Sequence, residues 1–392
     1  MSKNYKDIIN NLKEFIELSF NRTIINKDLE IDNKVYSNNH KKTHDEEIET
    51  NICIDWIQKT KIYYVDYAFS NEKVIFFKYV DESNRENYGN YLIYSSYEKV
   101  NFSNDFKIFV KDVDLNLGMF LSLFEKPEWY PLINTIISED AVTDIIDIPY
   151  SENQVNYDFH QILTLFSSIN VFKIKEDFLD SDYELNDIEN FKYRLLGIIK
   201  LTKLSNINSI MGYFTNETIA CYRSIFIDDI KHFPYENLYL SLNHNSPKYI
   251  FLEIYRAIEQ LYPIIYCYNL KKNFSITEKD LFKINNYIEQ NLGWKHKERD
   301  AITEIFEHMK KFAINKVFLD ELESYKITFL TKETKISNWI YDIRNTSVHL
   351  RFHDSTENTN LTEQDIKKIL NKDVIIKNLV NLLSNIYKEI FD

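Results

Sequence analysis

Apolar positions in the last third of the chain recur three and four apart, while in the first third they run in β-branched and aromatic blocks. Ile336, Ile340 and Ile343, with Trp339 beside them, predict an amphipathic helix over residues 335–349. The stripe Ile366, Ile369, Leu370, Val374, Ile376, Leu379, Leu382, Leu383, Ile386 and Ile390 predicts one long helix from Thr362 to Phe391. Thr362 is its expected N-cap, with Gln364 and Asp365 in the first turn. Ser246-Pro247 signals a helix over Tyr249 to Tyr268 that Pro263 kinks or breaks. Thr277 to Leu292 opens on a capping-box-like Thr277-Glu278-Lys279-Asp280 and closes at Gly293. Lys297 to Lys311 and Val317 to Tyr325 complete a compact helical bundle.

Upstream, residues 3–20 carry apolar positions at helical intervals, and residues 27–50 are polar and predict an exposed or poorly ordered segment. The pattern changes at Asn51. The blocks Cys53–Ile57, Ile62–Tyr67, Val74–Val80, Tyr91–Tyr94 and Phe106–Val110 predict an antiparallel sheet of about five strands. Its many Tyr and Phe residues suit core and cross-strand packing better than a base-stacking surface. Residues 114–140 read as an irregular connection and 141–240 as mostly helical, with Asp187 to Leu204 the clearest helix. The expected fold class is α+β. It has an N-terminal, mostly β sensor or regulatory region (1–140), a helical connecting region (141–244) and a C-terminal all-α bundle (245–392).

Composition narrows the function classes. Five glycines and six prolines in 392 residues leave no Walker-type or dinucleotide glycine fingerprint. A formal charge of −13 excludes a polybasic nucleic-acid coat or electrostatic membrane binder, though not a local cationic cleft. Cys53, Cys221 and Cys267 are far apart and form no C-x-x-C pair, which points to a reducing cytoplasm. The opening residues have no apolar signal-peptide core. The most apolar stretch, Tyr249 to Leu270, carries Glu253, Arg256 and Glu259 and reads as a buried helix.

Chemistry gathers at the end of the 335–349 helix. Asn345 and His349 are four apart and share a face, and Arg344 points about 100° away, flanking it. A permanent cation, an amide and an imidazole on one rigid support can hold a phosphate and move protons around it. Two other arrangements compete. His349 and His353, with Asp354 adjacent, have a spacing that can grip zinc, though Leu350 stands where a zincin has its glutamate. Alternatively, Arg344 pairs with Asp342 or Asp354, His349 is a satisfied cap, and the protein is a helical interaction module.

Arg344-Asn345-Thr346-Ser347-Val348-His349 in a late helix of an all-α region resembles the signature of the HEPN superfamily of ribonuclease domains. No other arginine in the chain has a histidine at that offset. The helix Phe251-Leu252-Glu253-Ile254-Tyr255-Arg256-Ala257-Ile258-Glu259 is similar to the first helix of such domains, in particular their Apea-like, anti-phage branch. The resemblance covers about residues 245–392. It implies a HEPN-like bundle, and a cytoplasmic, metal- and cofactor-independent endoribonuclease leaving 2′,3′-cyclic phosphate ends in phage defence or abortive infection. RNA would be the substrate, with Arg344, Asn345 and His349 catalytic and Glu259 and Arg256 secondary. The resemblance further implies a homodimer facing two motifs across one cleft, and an N-terminal region answering an unidentified trigger. The alternative is a catalytically silent HEPN-like nucleotide- or RNA-binding or scaffold protein.

Overall fold

The computed structural model describes residues 7–8, 10–12, 55–69, 72–96 save 82 and 85, 101–124, 168–178, 189–206, 213–293 save 279, 296–348 and 361–391. The fold is α+β, with a five-stranded antiparallel sheet in the first unit (Met1–Ile188) and helices in the second (Glu189–Asp392).

In the first unit, β1 (Thr60–Phe69), β2 (Glu72–Tyr79) and β3 (Gly89–Ser96) form a meander. β5 (Ser168–Ile174) adds to β3, and β4 (Val110–Val113) closes the order β1-β2-β3-β5-β4. The sheet is apolar on both faces. Ile75, Phe77, Tyr91, Ile93 and Val171 face one core with Trp56, Phe120 and Phe124. On the other side Tyr94, Phe102, Phe106 and Phe172 interlock edge-to-face and stacked, with centroids 4.7–5.2 Å apart. Burial on both faces explains why β2 and β3 read as continuous apolar runs rather than alternating ones. Tyr79, Tyr91 and Tyr94 are buried, so these rings are spent on packing.

Two expected strands are helical instead. Asp55–Lys59 forms a helical turn, with Trp56 and Ile57 buried. Asn104–Phe109 is a short helix, α1, because the Ser103 side chain caps the Phe106 N–H at 3.3 Å and the buried Phe106 and Phe109 fall three apart. The fifth strand comes from Ser168–Ile174, inside the stretch expected to be helical. Leu117–Ser122 forms α2 in the expected irregular connection. The 27–50 segment and residues 125–167 lie outside the described residues.

The second unit contains α3 (Glu189–Asn206), α4 (Asn216–Ile227), α5 (Tyr235–Leu242), α6 (Pro247–Glu259), α7 (Tyr262–Phe274) and α8 (Leu281–Leu292). α9 (Glu298–Met309), α10 (Ala313–Ile327), α11 (Ile336–Val348), α12 (Glu363–Ile369) and α13 (Val374–Phe391) follow. α13 is buried almost all round and packs against α4, α6 and α10. Residues 189–244, grouped by sequence with a connecting region, therefore share a unit with the later helices.

Pro263 breaks the expected 249–268 helix at Gln260–Leu261 and then sits in the first turn of α7. Several helix boundaries differ from expectation, α7 running on to Phe274 and α10 starting at Ala313 among them. α8 starts at Leu281 because Asp280, not Thr277, accepts the first N–H groups, from Phe282 at 2.9 Å and Lys283 at 3.3 Å. The expected helix Thr362 to Phe391 is two helices. Thr362 caps α12 in a capping box with Asp365, but the chain breaks at Leu370–Asp373. There the Asp373 carboxylate accepts from Thr215 N at 2.6 Å and Thr215 Oγ1 at 2.9 Å, tying the break to the start of α4.

α3 and α4 meet at Gly197, where an added Cβ would lie 2.4 Å from the Phe226 ring. Gly197→Ala is therefore expected to destabilise the protein by roughly 1–3 kcal/mol, since the ring is buried and cannot swing clear. Urea unfolding measures this. An unchanged midpoint would show that the two helices do not pack this closely.

Candidate functional site

α6 and α11 each bury one apolar stripe and leave a polar edge. On α6 the buried positions include Ile250, Phe251, Ile254, Tyr255 and Ile258, which leaves Glu259 at the rim of the helix end. On α11 they include Ile336, Trp339, Ile340 and Ile343, which leaves Arg344 and Asn345 half-buried beside them. The start of α11 is held by Lys326. Its buried ammonium donates to the carbonyls of Lys332 and Thr334 and pairs with Glu323.

The two edges meet at Arg344. Its Nη2 donates to Glu259 Oε1 at 3.1 Å, and its Nη1 donates to Asn345 Oδ1 at 3.0 Å. Glu298, the first residue of α9, stands 3.9 Å from Nη1. The guanidinium lies over the Tyr255 ring, 5.8 Å from its centroid. The Tyr255 and Tyr262 hydroxyls are 2.6 Å apart. Burial pushes the Glu259 carboxyl above its ordinary range, although Arg344 pulls it down. Burial also works against the Arg344 charge, but Glu259 and Glu298 outweigh it and hold the guanidinium above its usual value. Burial drives both tyrosine hydroxyls far up, and the contact between them adds to the rise of Tyr262 while opposing that of Tyr255.

Of the sequence candidates, Arg344, Asn345 and Glu259 come together. Arg256 does not, because it is exposed and pairs with Glu253 one turn earlier on its own helix. His349 lies outside the described residues, as do His353 and Asp354, so the zinc arrangement does too. Asp342 does not pair with Arg344. It stands 3.9 Å from Arg299, whose guanidinium lies over the Tyr341 ring. Ser347 is buried, and its Oγ has no partner among the described residues.

Sequence reasoning missed Glu298, Tyr255 and Tyr262. An acidic first turn on α9 was visible, but nothing in the chain says that it lands on Arg344.

It also missed His308, buried on α9, whose Nε2 lies 2.6 Å from Glu389 Oε1 on α13. Burial pushes Glu389 up to about 7 and His308 down, with Lys272 and Lys311 nearby. A groove of about 1360 Å³ between α7 and α8, lined by Tyr266, Leu270, Ile284 and Tyr287 among others, includes none of the Arg344 cluster. Among the described residues no three potential metal ligands cluster, and no helix is long and apolar enough to cross a membrane.

No family model, curated protein or solved structure matches the chain.

The Glu389 shift has a consequence for stability. A carboxyl whose folded value is raised contributes fully below its unfolded value, and that contribution is lost as pH rises through about 7. His308, being depressed, loses its contribution only on the acid side, as pH falls through the imidazole range. From the ordinary carboxylate range up to about pH 7, Glu389 thus makes stability fall with rising pH, opposed by His308 only across the imidazole range, and Glu389→Gln is expected to remove that fall. Urea midpoints across this range check it. An identical slope in the variant would remove Glu389 as its cause.

Proposed function

We propose that the helical unit is a HEPN-like, metal-independent endoribonuclease domain, with Arg344 as its phosphate-binding group. One observation carries the reading. A guanidinium sits at the meeting of α6, α9 and α11 with its side chain 20% exposed, and among the described residues Glu259 and Asn345 take two of its N–H donors. A guanidinium has five such donors, so phosphoryl oxygens can be bound by the rest. The RNA supplies its own nucleophile, the 2′-OH. Arg344 neutralises charge building on the phosphoryl oxygens, and Asn345 fixes the guanidinium plane. His349, one helical turn beyond Asn345 in the signature, is the proton-transfer candidate. On this reading the protein works as a cytoplasmic homodimer in phage defence, with the first unit sensing or restraining.

A second reading has one observation in its favour. Glu259 and Glu298 already neutralise Arg344, as suits a silent module that binds nucleotide or RNA weakly.

Labelled RNA incubated with the full chain in EDTA separates the two. Cleavage to 2′,3′-cyclic phosphate ends is expected, reduced at least about 100-fold in Arg344→Ala and in His349→Ala. RNA binding without cleavage, unchanged by either substitution, supports the silent module. A strict requirement for added metal would count against both.

A further inference from the structure

Arg344 faces two carboxylates that hold it unequally. Glu259, at the end of α6, accepts a hydrogen bond from Nη2 at 3.1 Å. Glu298 Oε2 stands 3.9 Å from Nη1, beyond hydrogen-bond reach. Its side chain is also the more open to solvent, 47% exposed against 30% for Glu259. Nη1 has two N–H donors, and Asn345 takes one. The other makes no hydrogen bond among the described residues, and Glu298 is the carboxylate that faces Nη1.

Little else holds Glu298 where it is. Among the described residues it makes no hydrogen bond, and Arg344 is its one ion-pair partner. The two carboxylates repel each other, and Glu298 helps to push the Glu259 carboxyl up. Glu298 is the first residue of α9, whose N-cap, Lys297, gives no side-chain hydrogen bond. The uncapped amides of that turn favour a carboxylate there with or without Arg344, so turning the side chain aside costs little. The charges also allow an exchange. One guanidinium facing two carboxylates leaves a single negative charge in excess. A phosphodiester carries one negative charge as well, so putting it in the place of the Glu298 carboxylate leaves that balance unchanged.

We propose that Glu298 is an exchangeable counter-ion of this site, a carboxylate that an RNA phosphodiester must displace from the Nη1 edge of Arg344 while Glu259 stays bound. The inference rests on the phosphate-binding role of Arg344 in the endoribonuclease reading. Glu298 makes or breaks no bond in the reaction. It sets the affinity of the site and holds occupancy down until enough phosphodiester is present to replace it. Glu259 does the opposite work, since it fixes the guanidinium in place for the incoming phosphate.

The test is binding of a labelled 2′-O-methyl RNA oligonucleotide, which lacks the nucleophilic hydroxyl, to the full chain at low salt, followed by fluorescence anisotropy. Glu298→Gln is expected to bind about fivefold tighter than wild type, the size suited to losing one exposed competing charge. The gain is expected to vanish when Arg344→Ala is added. Asp300→Asn removes a like charge from the same first turn of α9 and is expected to give no comparable gain. Glu298→Ser replaces the glutamine variant if that one melts early. Equal binding by wild type and Glu298→Gln, an equal gain from Asp300→Asn, or a gain that survives Arg344→Ala overturns the proposal. The phosphate-binding reading still stands in those cases if Arg344→Ala alone weakens binding. Binding that Arg344→Ala leaves unchanged, or no binding by either wild type or Glu298→Gln, overturns that reading and the role of Glu298 with it.

Discussion

The bridge between Arg344 and Glu259 constrains how α6 and α11 dock. Apolar stripes alone bring two helices together, but they tolerate rotation and sliding over several arrangements. A half-buried cation does not, because it must be matched by charge and hydrogen bonds wherever it comes to rest. Here the match is a carboxylate from the end of α6, an amide from the next residue of α11 and a more distant carboxylate from the start of α9. Each helix is pinned at the point where its apolar stripe ends, so the same contact closes the core and builds the site. The net worth of such a pair is small beside the cost of leaving either charge without the other.

Polar ties at helix ends recur through the second unit. Asp373 holds the break before α13 against Thr215 at the start of α4. Arg194 sends its guanidinium to the last carbonyls of α4, Phe226 O at 3.1 Å and Ile227 O at 2.7 Å. Lys326 gathers the turn that launches α11. These groups satisfy the carbonyls and amides that helices leave unpaired at their ends. They also fix where each helix starts and stops, which the apolar pattern leaves loose by several residues. The Arg344 neighbourhood inherits its geometry from them, since Glu298, Glu259 and Arg344 all lie at or near a helix end. A phosphate arriving there would have to compete with carboxylates already in place.

The first unit solves a different problem with the same physics. A sheet apolar on both faces needs cover on both, and the aromatic rings on and around it supply much of that cover. Trp56 packs 4.4 Å from Tyr79 and 5.5 Å from Tyr91, ring centroid to centroid. Rings used this way, Trp56, Tyr79, Tyr91 and Tyr94 among them, serve the core and are unavailable to stack on bases.

The sequence by itself determined the α+β class and the helices of the last third. Periodicity, proline and caps act over a few residues and are written locally: Pro263 splits α6 from α7 and Thr362 caps α12 as expected. What tertiary structure decided was everything set by distant partners. Phe106 and Phe109 look like strand residues until Ser103 caps them into a helix that buries both. Ser168–Ile174 becomes a strand because β3 and β4 offer it edges. Asp373 ends one helix and begins another because Thr215 holds it. Arg256 and Glu259 are equivalent candidates along the chain, yet only Glu259 meets Arg344, since the side of α6 that faces α11 is fixed by packing. Glu298 and Tyr262 join the site for the same reason: nearness in space between residues far apart in sequence is set by how whole helices pack, and no local pattern records it.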